Sequence, residues 1–557
     1  MHSVLTTAAN GNPAQKPIMP NFAKPKLPVV SLAIWVTFVT VHLVIMGQAA
    51  AQSVTPAPTP TIHNAGVGSS DISPDFSNLS QDAFLQMLVA RNLDVEFSRV
   101  NTDINRHLRD AEAALYEPVF YMNLRKEGRN RQRSSDERSQ SNPLTALLNE
   151  KFRTDEFGVR NKMPTGGDVS LSYRKSSRLN NLIPIINGGA FNNERSDLLN
   201  LTLKQPLLKN AGRSVTETDR RVAELEHQVS LQQLTQQTLK TSIEGLNLYW
   251  QLYKAQETVK LRKNASATTD SLMKDTRARI AAGKTPASAV LELQSAVVSR
   301  QAELLRSQQA LNEAQSKFAT TINLKWENTY ALGAAPRFMT DANQSVPTAT
   351  PLVSDLLGQW SPYQISLLRQ AQAQERQRFA KNQVLSTVDL VLNYGGTGLS
   401  RNILEARDLA TKFTYPDWYI GLNVEIPLDG NQKAKEQLAA QNARVQQSEL
   451  ERQAIENSFN NDMVLRLADL QNAVSVLDLS KKEVKLREKI FQNEGQRMQA
   501  GSGLLSVLLQ KQVDFIEAAQ KLLDNQVRYE IALNMWQYTR GTLLADNGIT
   551  ISDDRAP

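Results

Sequence analysis

Residue types that commonly carry chemistry are scarce and widely spaced in this chain. It contains no cysteine, which excludes disulfides, thiolate metal sites and cysteine nucleophiles. No two histidines have the close spacing of a local metal site, since they lie at His2, His42, His63, His107 and His227. The sequence therefore predicts neither a metal site nor a cofactor.

Three polar patterns resemble known kinds of site, and each has a simpler interpretation. Asp389 and Glu425 could form a catalytic carboxylate pair. They lie in segments that alternate apolar and polar side chains, however, which favours solvated charges on strands. Gly395-Gly396-Thr397-Gly398 lacks the Lys of a phosphate-binding loop, so we predict a surface loop. The basic stretch from Arg129 to Arg138 has no aromatic residue for base stacking. We therefore expect neither an enzyme nor a nucleic-acid-binding protein.

The N-terminal segment, residues 1–51, has the composition of a secretory signal peptide. The chain has 557 residues and a formal net charge of +7, and this segment carries three lysines and no acid. An apolar run from Val29 to Met46 precedes Ala49-Ala50-Ala51, a small-residue cleavage site before Gln52. Because the run is about 18 residues long, a retained membrane anchor is the alternative. A Pro-rich linker is predicted over 52–80.

Two later segments repeat each other. The segment from Arg279 to Gly283 recurs from Arg497 to Gly501, and after each glycine an apolar residue occupies every seventh position. These positions are Val290, Val297, Leu304, Leu311 and Phe318, and then Leu508, Phe515, Leu522, Tyr529 and Trp536. A strict seven-residue step predicts coiled-coil helices, and each glycine marks where a helix ends and the chain reverses. We therefore predict two hairpins, with long helices over 213–279 and 434–497 and a shorter return helix over 287–322.

Alternating segments between the helices predict strands. Five segments alternate apolar and polar side chains, and they are 119–125, 169–173, 199–204, 388–394 and 420–426. Ser80 has the position of an N-cap for a first helix over 82–117. Residues 126–168 are rich in Arg, Ser, Asn and Gly and predict a long exposed loop, with a hairpin ending at Thr165-Gly166-Gly167.

These elements define the predicted domains and fold class. The first helix–strand–strand–helix repeat covers 81–324, a connecting segment covers 325–361, the second repeat covers 362–545 and a tail covers 546–557. Alternating strands in an exported chain are typical of an outer-membrane barrel, although a small periplasmic sheet is the alternative. A barrel needs at least about eight strands, so one chain cannot close it alone. We predict a mostly α fold of two tandem coiled-coil hairpin repeats, with transmembrane strands that contribute to a shared trimeric β-barrel.

The doubled order of elements resembles the TolC-like outer-membrane efflux protein family over residues 80–545. The resemblance rests on Ala-Glu-Ala-Ala-Leu-Tyr-Glu-Pro at 111–118, Leu-Lys-Gln-Pro-Leu-Leu at 203–208 and the two Arg-x-x-Ala-Gly turns. It implies three chains that share a twelve-stranded barrel in the outer membrane and a periplasmic helical tunnel. It also implies a periplasmic adaptor and an inner-membrane pump as partners at the lower end, where Gly283 and Gly501 form the tips.

The tip residues depart from the family pattern. Acidic residues commonly follow the tip glycine by six positions in both halves and by nine in the second, but this chain has Ala289, Val507 and Gln510 there. Ser288 and Ser506 supply only weak polar groups, so a charged gate is not expected.

Apolar and basic residues occupy the tips instead. Leu504, Leu505 and Val507 predict an apolar constriction that forms where three copies meet, and the alternative is that they pack only within their own coiled coil. Arg279 and Arg497 are expected to cap helix C-termini, and adaptor docking is the alternative.

We therefore expect a passive exit duct. It would conduct cargo from a pump and adaptor to the exterior, in a tripartite efflux pump or a type I secretion system. The sequence has no phosphate-binding Gly-x-x-x-x-Gly-Lys loop, so the energy would come from a partner. The alternative is a non-transporting coiled-coil scaffold or adaptor-like protein of the cell envelope.

Overall fold

The computed structural model describes residues 79–186, 188–189, 193–283, 286–324, 333–334 and 356–549. All of them belong to one structural unit that begins at Asp75. The predicted signal peptide (1–51), and most of the predicted linker (52–80), connecting segment (325–361) and tail (546–557), lie outside the described residues.

Helices and strands follow one another in two series. The first series is α1 (Gln81–Arg91), α2 (Leu93–Ala113), β1 (Val119–Gln132), α3 (Ser135–Ser141), β2 (Leu147–Lys162), β3 (Asp168–Asn180), α4 (Ile183–Ile186), β4 (Asn193–Pro206), α5 (Arg213–Thr216), α6 (Thr218–Ala281) and α7 (Ala289–Thr321). The second series is α8 (Ser361–Gln383), β5 (Thr387–Ser400), α9 (Ile403–Thr411), β6 (Tyr415–Glu425), α10 (Gln432–Gln499), α11 (Leu505–Arg540) and α12 (Leu543–Asp546). A 3₁₀ turn over Ala114–Tyr116 follows α2.

Two long helices, α6 and α10, dominate the structure and confirm the sequence prediction. They contain 64 and 68 residues and so extend about 96 and 102 Å at 1.5 Å per residue. Each ends just before a glycine with positive φ, +70° at Gly283 and +80° at Gly501, a conformation that strains other residues. The return helices α7 and α11 follow. None of the described helices is both long enough and apolar enough to cross a lipid bilayer.

The prediction of one continuous first helix over 82–117 is wrong, because the helix breaks at Asn92. The Asn92 Oδ1 atom accepts hydrogen bonds from the backbone N–H groups of Asp94 and Val95, which starts α2 as a new helix. Its Nδ2 atom donates to the carbonyl oxygen of Thr321, 3.1 Å away at the end of α7. The predicted N-cap Ser80 is confirmed, since its hydroxyl oxygen accepts from the Ala83 N–H.

Two shorter helices pack in series along each long helix. Helices α2 and α7 both pack along α6, and α8 and α11 both pack along α10. The main hydrophobic core lies where α7 ends and α1 begins, around the buried rings of Phe84, Tyr249, Trp250 and Phe318. A second cluster, around Phe459 and other side chains of α8, α10 and α11, occupies the corresponding level of the second half.

The six described strands form one antiparallel sheet in the order β1-β2-β3-β4-β5-β6. The five predicted strand segments lie in β1, β3, β4, β5 and β6. The predicted loop over 126–168 is wrong in large part, because it contains the end of β1 and the whole of β2. Gly395-Gly396-Thr397-Gly398, predicted as a surface loop, lies within β5 instead, where backbone pairing with β4 and β6 accommodates it.

Candidate functional site

One face of the sheet is apolar across all six strands. Alternate residues of a strand share a face, and pairing in register aligns the apolar ones from strand to strand. Many of these side chains are exposed, among them Met122 at 57% and Leu422 at 65%. We call this surface the apolar belt; it consists of Phe120, Met122, Leu124, Phe157, Val159, Val169, Leu171, Tyr173, Leu199, Leu201, Leu203, Val388, Leu390, Leu392, Tyr394, Trp418, Ile420, Leu422 and Val424.

The opposite face is polar and carries ion pairs between neighbouring strands. Arg174 of β3 pairs with Glu156 of β2 at 3.1 Å, and the Arg178–Glu150 pair spans the same two strands at 2.6 Å. A third pair joins β4 to β5. Charges of both signs therefore line this face, and much of their charge is compensated locally.

The two carboxylates noted in the sequence lie on this polar face but have separate partners. Asp389 pairs with the ammonium group of Lys204 at 2.9 Å. Glu425 Oε1 accepts a hydrogen bond from Asn423 Nδ2 at 3.4 Å. In the strand register the two carboxylates are diagonal neighbours on this face, because Asp389 is paired with Asn423 and Glu425 with Thr387. Each is engaged by its own polar partner, which agrees with charges lining a strand face.

The four junctions between the strands and the packed helices, which involve α2 through its 3₁₀ turn, α5, α8 and α10, all lie at the same rim of the sheet. Pro206 ends β4, and the Leu207 N–H donates to the Val388 carbonyl of β5. The turn between β2 and β3 reaches this rim as well, because its Thr165 carbonyl accepts from the Gly212 N–H, just before α5. All six strands are therefore anchored on the side where the long helices begin.

A buried acid fixes the same rim, and the sequence analysis did not identify it. The Glu217 carboxylate accepts from Arg213 Nε at 2.7 Å and from the Tyr116 hydroxyl at 3.0 Å. Burial favours its neutral form, but these hydrogen bonds outweigh burial and hold the pKa of Glu217 below its ordinary value. The spacing of Arg213 and Glu217, four residues apart, was the available signal.

Helix α9 covers part of the apolar belt at the opposite rim. Gly396 and Gly398 lie on the belt face of β5, and a methyl group at either would collide with backbone atoms of α9 at Ala410 or Ala406. The ring of Phe413 stacks on Tyr394, with centroids 5.3 Å apart. The two glycines thus allow the helix to contact the strand directly.

The two hairpin ends predicted as tips pack against each other. Met273 of α6, Leu293 of α7, Met498 of α10 and Leu508 of α11 belong to one buried cluster. Across this contact, Arg279 Nη1 donates to the Met498 carbonyl at 3.0 Å, so Arg279 caps the C-terminus of the other long helix.

The second arginine of the repeat behaves differently from the first, whereas the two glycines behave alike, since the Gly283 N–H donates to the Ile280 carbonyl. Arg497 pairs with Glu494 of its own helix at 3.2 Å and does not cap a C-terminus with its side chain. The Ser502 N–H donates to the Arg497 carbonyl and the Gly501 N–H to the Met498 carbonyl, so backbone groups close the end of α10.

The predicted gate residues divide into two groups. Leu505 is buried in the cluster of the tips, which contains residues of both hairpins, and so is Ala289. Leu504 and Val507 are 68% and 37% exposed. The polar side chains of Ser288, Ser506 and Gln510 are also exposed.

Comparison with known proteins identifies the fold. No protein-family model matches the sequence, and neither does any curated protein sequence. The chain is similar to the solved structure of the outer membrane protein VceC from Vibrio cholerae, with 14% identity, a TM-score of 0.57, and coverage of 83% of this chain and 96% of that one.

Two further solved structures show the same likeness. The CmeC outer membrane channel of Campylobacter jejuni has 12% identity and a TM-score of 0.59, and the match covers 85% of this chain and 87% of that one. The open MtrE outer membrane channel of Neisseria gonorrhoeae has 14% identity and a TM-score of 0.56, with 83% and 89% covered. The chain therefore has the fold of these channels, as the resemblance implied.

Proposed function

We propose that this chain, with its TolC-like channel fold, is the passive exit duct of an outer membrane. One observation carries the proposal: the sheet has an apolar belt on one face and an ion-paired polar face on the other. Lipid outside and water inside a barrel require this division. Strands β1 and β6 each lack a second partner within the described residues, and open edges are not tolerated in lipid, so they pair between copies.

Exposed apolar rows on the outermost helices support closure into a ring. Near the sheet, α6 lies between α2 and α8, and α8 lies between α6 and α10. This arrangement leaves α2 and α10 at the two sides. The free face of α2 carries exposed apolar residues spaced three and four apart, the pattern of a coiled-coil seam, at Leu93, Phe97, Val100, Ile104 and Leu108. Toward the tips, α7 carries a seven-residue row at Leu291, Val298 and Leu305.

Three copies form the proposed assembly, and partners act at its tips. A periplasmic adaptor docks there and an inner-membrane pump supplies cargo and energy, in a tripartite efflux pump or a type I secretion system. The proposed docking or gating surface is made of Arg279, Gly283, Ser288, Arg497, Gly501, Leu504, Leu505, Ser506 and Val507. Exposed Leu504 and Val507 are proposed to narrow the duct, while Leu505 supports them from the buried cluster.

Membrane fractionation and light scattering test this proposal. We expect the protein in the outer membrane with Gln52 as its N-terminus, and as a trimer in detergent. The scaffold alternative predicts a monomer in the soluble periplasmic fraction. A retained segment from Val29 to Met46 in the inner membrane would contradict the proposed location.

A further inference from the structure

The sheet has more strands than the twelve-stranded family barrel requires of each of three chains. That barrel needs four strands per chain, whereas the described residues form six. The additional strands are β2 and β3, since the first half contributes four strands and the second half two. Their side chains and register show what this hairpin does.

The β2–β3 hairpin spans the same height as its neighbours and belongs to the apolar belt. At the helix-facing rim, Lys162 of β2 is paired with Asp168 of β3, and Asp168 is paired with Lys204 of β4. Phe157 and Tyr173 lie side by side within the belt, with ring centroids 6.0 Å apart. The hairpin is therefore part of the sheet that would form the wall of the proposed barrel, and not an extension above that wall.

Six strands give each chain a sheet as wide as its helical layer. At about 4.8 Å between strands and a tilt of about 40°, six strands occupy about 38 Å of a barrel's circumference, and four strands only about 25 Å. At each level of the helical part, four helices pack side by side in the described residues, in the order α2-α6-α8-α10 near the sheet and α7-α6-α11-α10 toward the tips. At 8–10 Å between axes, four helices occupy about 36 Å.

We infer that the β2–β3 hairpin widens the barrel to match the helical wall, so that three copies close an eighteen-stranded barrel that does not narrow the duct. The inference rests on the proposed trimeric duct. Eighteen strands correspond to a barrel about 36 Å across between backbones and a free bore of about 25 Å once side chains are subtracted. Twelve strands would leave about 14 Å. The barrel accordingly admits large hydrophilic solutes, and the polar face with its compensated charges selects against neither sign.

Polymer exclusion in planar bilayers tests the bore. Polyethylene glycol about 20 Å in diameter, added only on the barrel side, should enter the barrel of the full-length trimer and lower its conductance. The matched variant replaces residues 133–192 with an Asn-Gly turn, which joins β1 directly to β4 in antiparallel orientation and leaves four strands per chain. The same polymer should be excluded from this variant.

Electron cryo-microscopy of the full-length protein counts the strands directly and does not depend on the folding of the variant. Eighteen strands are expected. A twelve-stranded barrel, from two copies or from three with the hairpin outside the wall, would overturn the inference, and so would exclusion of the polymer from full-length trimers. A protein that forms no channel would instead contradict the proposed function.

Discussion

Glu530, on α11, is a half-buried acid whose environment makes stability depend on pH. Burial raises its pKa from 4.5 to about 7. Below about pH 4.5 the carboxyl is neutral in both the folded and unfolded states. Between about pH 4.5 and 7 only the unfolded state ionises, so the folded state loses about 1–3 kcal/mol of stability as the pH rises.

Glu530→Gln should remove this loss. We expect the variant to exceed the wild-type melting temperature at pH 8 and to match it at pH 4, measured by circular dichroism in detergent. Glu517, exposed on the same helix, provides the control Glu517→Gln, which should change neither value. Equal effects of both substitutions at pH 8 would rule out burial as the cause.

Gly398 tests the contact between α9 and the apolar belt. Its backbone is not in the left-handed region, so Gly398→Ala leaves the strand conformation unstrained, but the added methyl group displaces α9 at Ala406. We expect this displacement to cost about 1–2 kcal/mol and so to raise the population of the state in which α9 is detached from the strand. Because trypsin cleaves that state, cleavage after Arg407 should be about 5–30-fold faster.

Gly421→Ala is the matched control for this experiment. Gly421 lies in the neighbouring strand β6, and a methyl group there meets no atom within 4 Å. Its cleavage rate should equal that of the wild-type protein. An unchanged rate in Gly398→Ala as well would mean that α9 does not depend on the glycine contact.

At the scale of elements, Arg279 couples the two hairpins. Arg279→Met removes the cap on the last turn of α10 but retains much of the side-chain volume, so we expect a loss of about 1 kcal/mol and faster amide exchange at the end of α10. Hydrogen-exchange mass spectrometry measures that exchange. The control is Arg277→Met, because Arg277 is exposed and lies two residues earlier, about half a turn away, on the same helix. Similar exchange in both variants would show that the cap does not hold the tips together.

Helix hairpins were predictable because their signals are local and long. The seven-residue apolar step and the two Arg-x-x-Ala-Gly turns place the long helices within a few residues of their observed ends. The break at Asn92 was missed because apolar spacing continues from α1 into α2 while a single side chain starts the new helix. The same side chain also donates to the Thr321 carbonyl, a long-range contact that no local pattern reveals.

Strand β2 was missed for a different physical reason. Only Phe157 and Val159 lie in the apolar belt, while Lys151, Arg153 and Asp155 occupy the same face beyond it. In the proposed barrel, a strand that extends past the lipid has no reason to keep an apolar face there, so its alternation disappears. The tips were predictable as positions from the repeat, but the cap from Arg279 to the other hairpin depends on how the hairpins pack.

At the scale of the whole assembly, the proposed gate would form only where copies meet. Val507→Asp places like charges near one another across the axis of the proposed trimer, and their repulsion and hydration should raise ion conductance severalfold in a planar bilayer. Leu505→Asp is the contrasting variant, because Leu505 is buried within its own chain and its substitution should lower thermal stability instead. Unchanged conductance together with reduced thermal stability in Val507→Asp would contradict the proposed apolar gate.

The hairpin formed by β2 and β3 also changes the symmetry of the proposed assembly. The helical part repeats twice in each chain, so three copies present six nearly equivalent hairpins at the tips. The sheet has no internal repeat within a chain, because the first half supplies four strands and the second half only two. The tip end therefore has pseudo-sixfold symmetry and the barrel end only threefold. A partner that docks at the tips meets six similar surfaces, whereas a ligand of the outer rim, where each chain presents one α9, meets three.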